Sequence, residues 1–292
     1  MKILNYGSMN LDHVYSVPHM AAPGETLLAG HMEIFCGGKG LNQSIAVARA
    51  GGEICHAGVV GHDGGILLER LRENGIDTCF VKRIEGSSAH TVIQVDPTGQ
   101  NSIIVFADPS VRFTDEEMNA ILARFAPGDI LMLQNELYGS SMMLQKAAAK
   151  GMKVILNPSP ANEHLHDFHL ELVDWFILNE IEGELLTGKK EPPEILNQLH
   201  CLYPHASVVL TLGENGAFLY TEGTTLYQPA YKVNPVDTTA AGDTFTGYFI
   251  AGLAENLFPE QMMRRAAFAA SIAVSRPGAA DSIPLRAEVE QG

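Results

Sequence analysis

Short apolar runs recur along this chain, at Ile3 to Tyr6, Ile54 to Val60, Ile130 to Leu133, Val154 to Leu156, Trp175 to Leu178 and Val208 to Leu212, several of them continuous rather than alternating. Runs this short that do not alternate with polar residues are expected of strands covered on both faces. Helical patterns lie between them at Leu41 to Ala50, Ile66 to Glu73, Asp115 to Phe125, Ser140 to Lys150 and Glu180 to Leu186. Strand followed by helix, repeated, predicts an α/β fold with a parallel sheet and helices on both sides. The last third is helical, from Gly242 through Ala254 and from Pro259 through Val274, and is rich in alanine for close packing.

Two stretches break the rhythm, about 12–35 and about 88–106. In the second, Thr91 to Val95 and Asn101 to Val105 flank Asp96-Pro97-Thr98-Gly99-Gln100, a set of turn residues between two strand-forming runs. Both stretches read as strands of a small sheet projecting from the main domain. Edge strands of the main sheet are the alternative that periodicity leaves open.

Nineteen basic against thirty-four acidic side chains give a formal charge of -15, which argues against a general grip on nucleic acid. An anionic ligand needs a local positive site. The cysteines Cys36, Cys55, Cys79 and Cys201 are far apart and form neither a CxxC pair nor a zinc-ligand array. The first apolar run is too short for a signal peptide and no stretch approaches a membrane span. A soluble protein of the reducing cytoplasm is expected.

Two glycine-rich places can carry chemistry. In Cys36-Gly37-Gly38-Lys39-Gly40-Leu41-Asn42-Gln43 the glycines let backbone approach a ligand, and Lys39 and Asn42 supply a cation and an amide at a helix start. The same pattern suits a plain strand-to-helix turn. In Ala240-Ala241-Gly242-Asp243 small residues leave amide N–H groups uncovered at a helix N-terminus, where Asp243 is either a cap or a proton acceptor. There is no Walker A sequence, no GxGxxG after the first strand, and no HRD or DFG sequence. The segment His164-Leu165-His166-Asp167-Phe168-His169 reads as a solvated connection rather than a metal site.

Taken in order, these segments resemble the ribokinase-like, or PfkB-type, carbohydrate kinases over almost the whole chain. The resemblance rests on Gly7-Ser8-Met9-Asn10-Leu11-Asp12, Pro23-Gly24-Glu25-Thr26, Gly37 to Gln43, Gln134-Asn135-Glu136, Asn157-Pro158-Ser159-Pro160-Ala161, Asn179-Glu180-Ile181-Glu182, Thr211-Leu212-Gly213-Glu214-Asn215-Gly216 and Asp237 to Phe245. It implies one domain over residues 1–292, a three-layer sandwich with a mainly parallel central sheet and a small projecting β-sheet lid drawn from about 12–35 and 88–106.

The implied activity is ATP-dependent phosphorylation of a primary hydroxyl on a small sugar, with Asp243 as base and the amides of Ala240, Ala241, Gly242 and Asp243 as the anion hole. Asn10, Asp12, Gly38, Lys39, Asn42 and Glu136 would bind the sugar. Asn179 and Glu182 would organise Mg2+ and phosphates, partly through water. Thr211, Gly213 and Gly216 would line the ATP site. A monovalent cation, usually K+, would sit among Asp237, Thr239, Ala273, Arg276, Gly278 and Ser282. The lid would close over the sugar and serve as a homodimer interface.

Asn10 with Asp12, Glu136, Asn157 to Ala161 and the Ala-Ala-Gly-Asp motif lean toward members that act on ribose or a related pentose. Fructose, nucleoside and sugar-acid kinases share the same frame, and a non-catalytic sugar- or nucleotide-binding regulator is the alternative from another class. Such a regulator would be expected to have lost Asp243 or the phosphate elements. Ala107-Asp108-Pro109 replaces the Gly-Ala-Asn usual in ribose kinases, and Ala267 a polar residue often found near the adenine.

Overall fold

The computed structural model describes residues 1–108 and 110–291. The chain runs through β1 (Ile3–Tyr6), β2 (Asn10–Ser16), β3 (His31–Gly37), α1 (Lys39–Arg49), β4 (Ile54–Ala57), β5 (Val59–Val60), α2 (Gly65–Glu73) and β6 (Lys82–Arg83). It continues with β7 (His90–Val95), β8 (Asn101–Phe106), α3 (Asp115–Leu122), β9 (Ile130–Gln134), α4 (Ser140–Ala149), β10 (Lys153–Asn157), β11 (Trp175–Asn179), α5 (Glu180–Thr187) and α6 (Pro192–Leu202). It closes with β12 (Ser207–Thr211), β13 (Ala217–Thr221), β14 (Thr224–Gln228), α7 (Ala241–Ala254), α8 (Pro259–Val274) and α9 (Arg286–Glu290).

Eight strands form the central sheet in the order β14-β13-β12-β11-β10-β9-β1-β4. Pairing is parallel from β4 to β12 and antiparallel through β13 and β14. The uninterrupted runs serve both faces. Ile3, Ile130, Met132, Ile155, Ile177 and Val209 pack under α1, α7 and α8, while Leu4, Leu131, Leu133, Leu156, Phe176 and Leu210 pack under α3, α4 and α6. Successive residues point to opposite faces of a strand, so a run without polar interruption fills two cores at once.

A second sheet, ordered β3-β2-β7-β8, stands apart from the first. The stretch 88–106 therefore belongs to a separate sheet and not to an edge of the main one. Its hairpin closes on Asp96, whose Oδ1 accepts from the Thr98 amide at 2.8 Å and hydroxyl at 2.6 Å, with Gly99 at φ 82°. From the stretch 12–35 only the ends become strands, and 17–30 connects them.

The run Ile54 to Val60 also divides. A side chain at Gly58 would lie 2.7 Å from both the Gly7 carbonyl and the His56 ring, and beyond it β5 leaves the main sheet to pair with β6.

Candidate active site

Four of the parallel strands end on a polar residue: Gln134, Asn157, Asn179 and Thr211. Register sets Asn157 beside Gln134 and Asn179 beside Thr211. In open α/β sheets the crevice at the carboxyl ends of the strands is where ligands bind. A cavity of about 260 Å³ opens there, lined by Lys39, Asn157, Asn179, Glu182, Thr211 and Asp243 among others. A larger one, about 510 Å³, is lined by Ser8, Asn10, Glu136, Ala107, Asp108 and, from the small sheet, Val105. Lys39 joins the two, because its backbone N–H donates to Glu136 Oε2 at 3.0 Å while its residue lines the smaller cavity.

Asp243 sits in the first turn of α7. Ala240 begins that helix in the left-handed region, φ 58°, with the amide and hydroxyl of Thr244 both donating to its carbonyl at 2.8 Å. The amides of Gly242 and Asp243 precede this first intrahelical donor and so have no partner within the helix. The amide of Ala241 instead donates to the Thr238 carbonyl at 3.3 Å. A methyl group at Gly242 would meet nothing within 4 Å, so the approach to these amides is open.

The Asp243 carboxylate is 8% exposed and receives one amide donor on each oxygen. Asn42 Nδ2 donates to Oδ2 at 3.1 Å and Gln43 Nε2 to Oδ1 at 3.0 Å. Both donors lie in the first turns of α1, which packs against α7 where Gly247 faces Ala46 and Val47. Asn42 Oδ1 is buried without a partner among the described residues, an acceptor that a ligand hydroxyl would satisfy.

Burial pushes the Lys39 ammonium toward a lower pKa, but Asp243, Glu136 and Glu182 outweigh it and hold the group above its ordinary value. This is the local positive site that a chain of charge -15 needs for an anion. Burial raises the Glu136 carboxyl, against the Ser8 hydroxyl that donates to it and the nearby Lys39. Burial likewise raises Asp12, whose Oδ1 accepts from the Thr91 hydroxyl at 2.7 Å. Asp12 fills the space beside Gly37, where any side chain would collide with its carboxylate. Gly38 stands at φ 95° between β3 and α1.

Asn179 and Glu182 form a capping box at the start of α5. Asn179 Oδ1 accepts from the Glu182 amide at 3.0 Å, and the Glu182 carboxylate accepts from the Asn179 backbone at 3.0 Å and side-chain amide at 3.2 Å. Glu182 is only 4% exposed, which removes a solvated helix face as its explanation. Thr211 lines the cavity with them; Gly213 and Gly216 lie in the turn that follows, at φ 55° and 86°. At Gly216 the backbone of Gln228 on β14 occupies the space a side chain would need.

The two loops expected to hold a monovalent cation meet through Asp237. Its Oδ1 accepts from the Thr239 amide at 2.9 Å and hydroxyl at 2.6 Å, and its Oδ2 from the Gly278 amide at 3.0 Å. The Ala273 carbonyl takes the Arg276 amide, the Arg276 side chain pairs with Glu288, and the buried Ser282 donates to the Ala279 carbonyl. Ala267 is half-buried on α8 against the core. Ala107 and Asp108 border the larger cavity, and Pro109 lies outside the described residues. In the histidine-bearing segment His164 is 3.9 Å from Asp167, and His169 is 2.9 Å from Glu171.

Ser8, Gln43, Gln134 and Asn157 are site residues that were not assigned from sequence. Their signal was position: Ser8 and Gln43 lie within matched motifs, and Gln134 and Asn157 each end a strand directly after an apolar run.

The sequence pattern of the pfkB family carbohydrate kinases matches residues 1–286. A ribokinase of Haemophilus influenzae is 35% identical to this chain, the alignment covering 97% of this chain and 95% of that protein. A solved ribokinase of Cryptococcus neoformans in complex with ADP superposes with a TM-score of 0.88 at 32% identity, over 99% of both chains. The Arabidopsis thaliana ribokinase complexed with ribose and ATP superposes with a TM-score of 0.86 at 28% identity, over 99% of this chain and 97% of that one. With a two-cavity site at the strand ends and a small sheet beside it, this chain belongs to the pfkB family of carbohydrate kinases.

Proposed function

We propose that this carbohydrate kinase transfers the γ-phosphoryl group of ATP to the primary hydroxyl of ribose or a closely related pentose. The observation that carries the reading is the buried Asp243 carboxylate at the N-terminus of α7, on the wall of the smaller cavity with Lys39, whose backbone N–H donates to Glu136 in the wall of the larger one. The names of the relatives, ribokinases at about one-third identity, support the sugar class.

In this reading Asn10, Asp12, Gly38, Lys39, Asn42 and Glu136 hold the sugar. Asp243 accepts the proton as the hydroxyl oxygen bonds to the γ-phosphorus and the bond to the β-phosphate oxygen breaks, releasing ADP. The amides at the start of α7 hold the charge that develops on the phosphoryl oxygens, and loss of one such donor typically costs about a hundredfold in rate. A substrate panel with ADP detection tests the reading. Turnover highest on ribose or another pentose is expected, and no magnesium-dependent turnover on any sugar would overturn it.

Asn179 and Glu182 would hold Mg2+ through water. Both Glu182 oxygens are already engaged by Asn179, and no cluster of three or more metal-ligating His, Cys, Asp or Glu occurs among the described residues. That fits an ion that keeps much of its hydration shell; bound there it neutralises charge on the phosphate oxygens. Thr211, Gly213 and Gly216 would border the nucleotide.

Asp237, Thr239, Ala273, Arg276, Gly278 and Ser282 would surround a K+ ion, mostly with carbonyl oxygens. Exchange of potassium for sodium at constant ionic strength is expected to lower kcat several-fold. Equal rates in the two salts would rule the site out.

The raised Asp12 pKa has a measurable consequence. A carboxyl whose folded pKa lies above its unfolded value contributes stability below the unfolded pKa and loses that contribution as pH rises through the folded one. At neutral pH the ionised, half-buried Asp12 is therefore a liability to the fold. Asp12→Asn should raise Tm at pH 7 to 8, the gain shrinking toward pH 4, while sugar KM rises by about one to two orders of magnitude. Thermal scans across pH with parallel kinetics check both halves.

The small sheet would act as a lid and as the interface of a homodimer. On its outer strand Ile103, Ile104, Val105 and Phe106 are 50 to 63% exposed, more apolar surface than one edge strand usually leaves in water. Light scattering should report twice the 31.5 kDa chain mass. The four free cysteines suit a reducing compartment such as the cytoplasm.

A further inference from the structure

A chain of buried polar side chains runs from the main sheet to Asp243, and its hydrogen-bond directions are fixed link by link. Asn5 Nδ2 must be the atom facing the Gly40 carbonyl, at 2.7 Å, because a carbonyl only accepts. The same nitrogen donates to Ser44 Oγ at 2.7 Å, and the Ser44 hydroxyl is in turn hydrogen-bonded to His56 Nδ1 at 2.8 Å. His56 is fully buried, and burial lowers its pKa to about 4, so the ring stays neutral.

Asn5 Oδ1 is thereby turned to accept from Gln134 Nε2 at 3.2 Å, and the second hydrogen of that nitrogen goes to Gln43 Oε1 at 2.7 Å. The Gln43 amide then has one orientation. Its Nε2 faces Asp243 Oδ1 at 3.0 Å and Asn157 Oδ1 at 2.9 Å, while Asn157 gives its own Nδ2 to the Ile177 carbonyl at 2.8 Å. Gln43 and Gln134 are each 1% exposed, so water does not compete for these groups.

We infer that Gln43 is a positioning residue for the base: the Asn5–Gln134 relay presents its N–H to Asp243 and fixes the plane of that carboxylate. This rests on the reading of Asp243 as the base. Both ends of the Gln43 side-chain amide are taken up within the chain, by Gln134, Asp243 and Asn157, so the inference predicts a loss in turnover without a loss in sugar affinity.

The test compares Gln43→Met, Gln134→Met, the double variant and Gln43→Glu with Asp243→Asn, measuring kcat, KM and calorimetric Kd for the sugar, and Tm. Removing a buried donor to a charged acceptor should lower kcat roughly ten- to a hundredfold with sugar KM and Kd within about twofold. Gln134→Met should lower kcat less, because it frees the orientation of Gln43 without deleting its donor. The double variant leaves no glutamine amide unpaired between the two positions and is the guard against mere misfolding. If its Tm recovers and its kcat stays low, the role is positioning; if kcat recovers with Tm, the role is structural and the inference fails. Gln43→Glu keeps the shape and places an acceptor against Asp243, so it must be at least as slow as Gln43→Met. Full kcat in Gln43→Met beside an inactive Asp243→Asn overturns this inference alone, and an active Asp243→Asn overturns the base assignment with it.

Discussion

Asp243→Asn is expected to lower kcat by about 10² to 10⁴, the usual contribution of a positioned general base, while sugar still binds. The substitution is less innocent than its shape suggests. Both carboxylate oxygens accept amide hydrogens, from Asn42 and from Gln43. An asparagine at 243 sets its own NH2 against one of those donors in either flip. A fall in stability on the order of 1–3 kcal/mol should accompany the loss of turnover. Sugar binding by calorimetry, at a temperature where the variant is folded, separates the two effects. Turnover within tenfold of the unmodified protein would show that another group takes the proton.

The second large effect is expected at Gly247, which lines neither cavity. A methyl group there would overlap Ala46 Cβ and lie 2.8 Å from the Val47 nitrogen and 2.9 Å from the Gln43 carbonyl oxygen. Backbone atoms cannot swing aside as a side-chain end does, so α1 and α7 must separate. Overpacking of this kind costs about 1–3 kcal/mol, which for a chain of this size lowers Tm on the order of 5 °C. The greater consequence is functional. Asp243 lies one turn before Gly247, and its two donors lie one turn before Ala46 and Val47, so the shift that relieves the clash displaces base from donors. A misplacement near 1 Å can cost about a hundredfold in rate. Gly247→Ala should therefore lose more activity than its Tm explains. Gly65→Ala, where the added methyl meets nothing within 4 Å, is the control and should leave both unchanged.

Much of the frame was legible because its signal is local. A continuous apolar run such as Ile130 to Leu133 has few options besides a strand buried on both faces, and Asp96 to Gln100 between β-branched runs is a turn whichever sheet it joins. The edge hairpin β13–β14 escaped notice because its outer residues, Thr224, Thr225 and Tyr227, are exposed and weaken the apolar pattern. Its turn, Glu222 at φ 48° and Gly223 at φ 76°, has positive φ at both central positions, and glutamate is an uncommon choice there.

The candidate site divides in the same way. Asp243, Lys39 and Asn42 belong to glycine-marked helix starts that motif reading finds. The burial of Glu182 is not written in its helical pattern and follows from the capping box it forms with Asn179. The relay through Asn5, Gln134 and Gln43 joins residues up to 129 positions apart, and nothing in a run such as Ile130 to Gln134 says whether a terminal glutamine faces water or a partner. Only the pairing of β1 with β9 and the packing of α1 over them bring those amides to one place.

Between Gly37, the last residue of β3 in the small sheet, and Lys39, the first of α1, stands Gly38 alone. Any displacement of that sheet is delivered across one residue to Lys39 and within a turn to Asn42 and Gln43. Affinity and turnover thus share a single lever. Strands grafted from a relative with another sugar preference would carry a change of rate with the change of taste, and an inhibitor wedged beneath the sheet would misalign Asp243 without touching it.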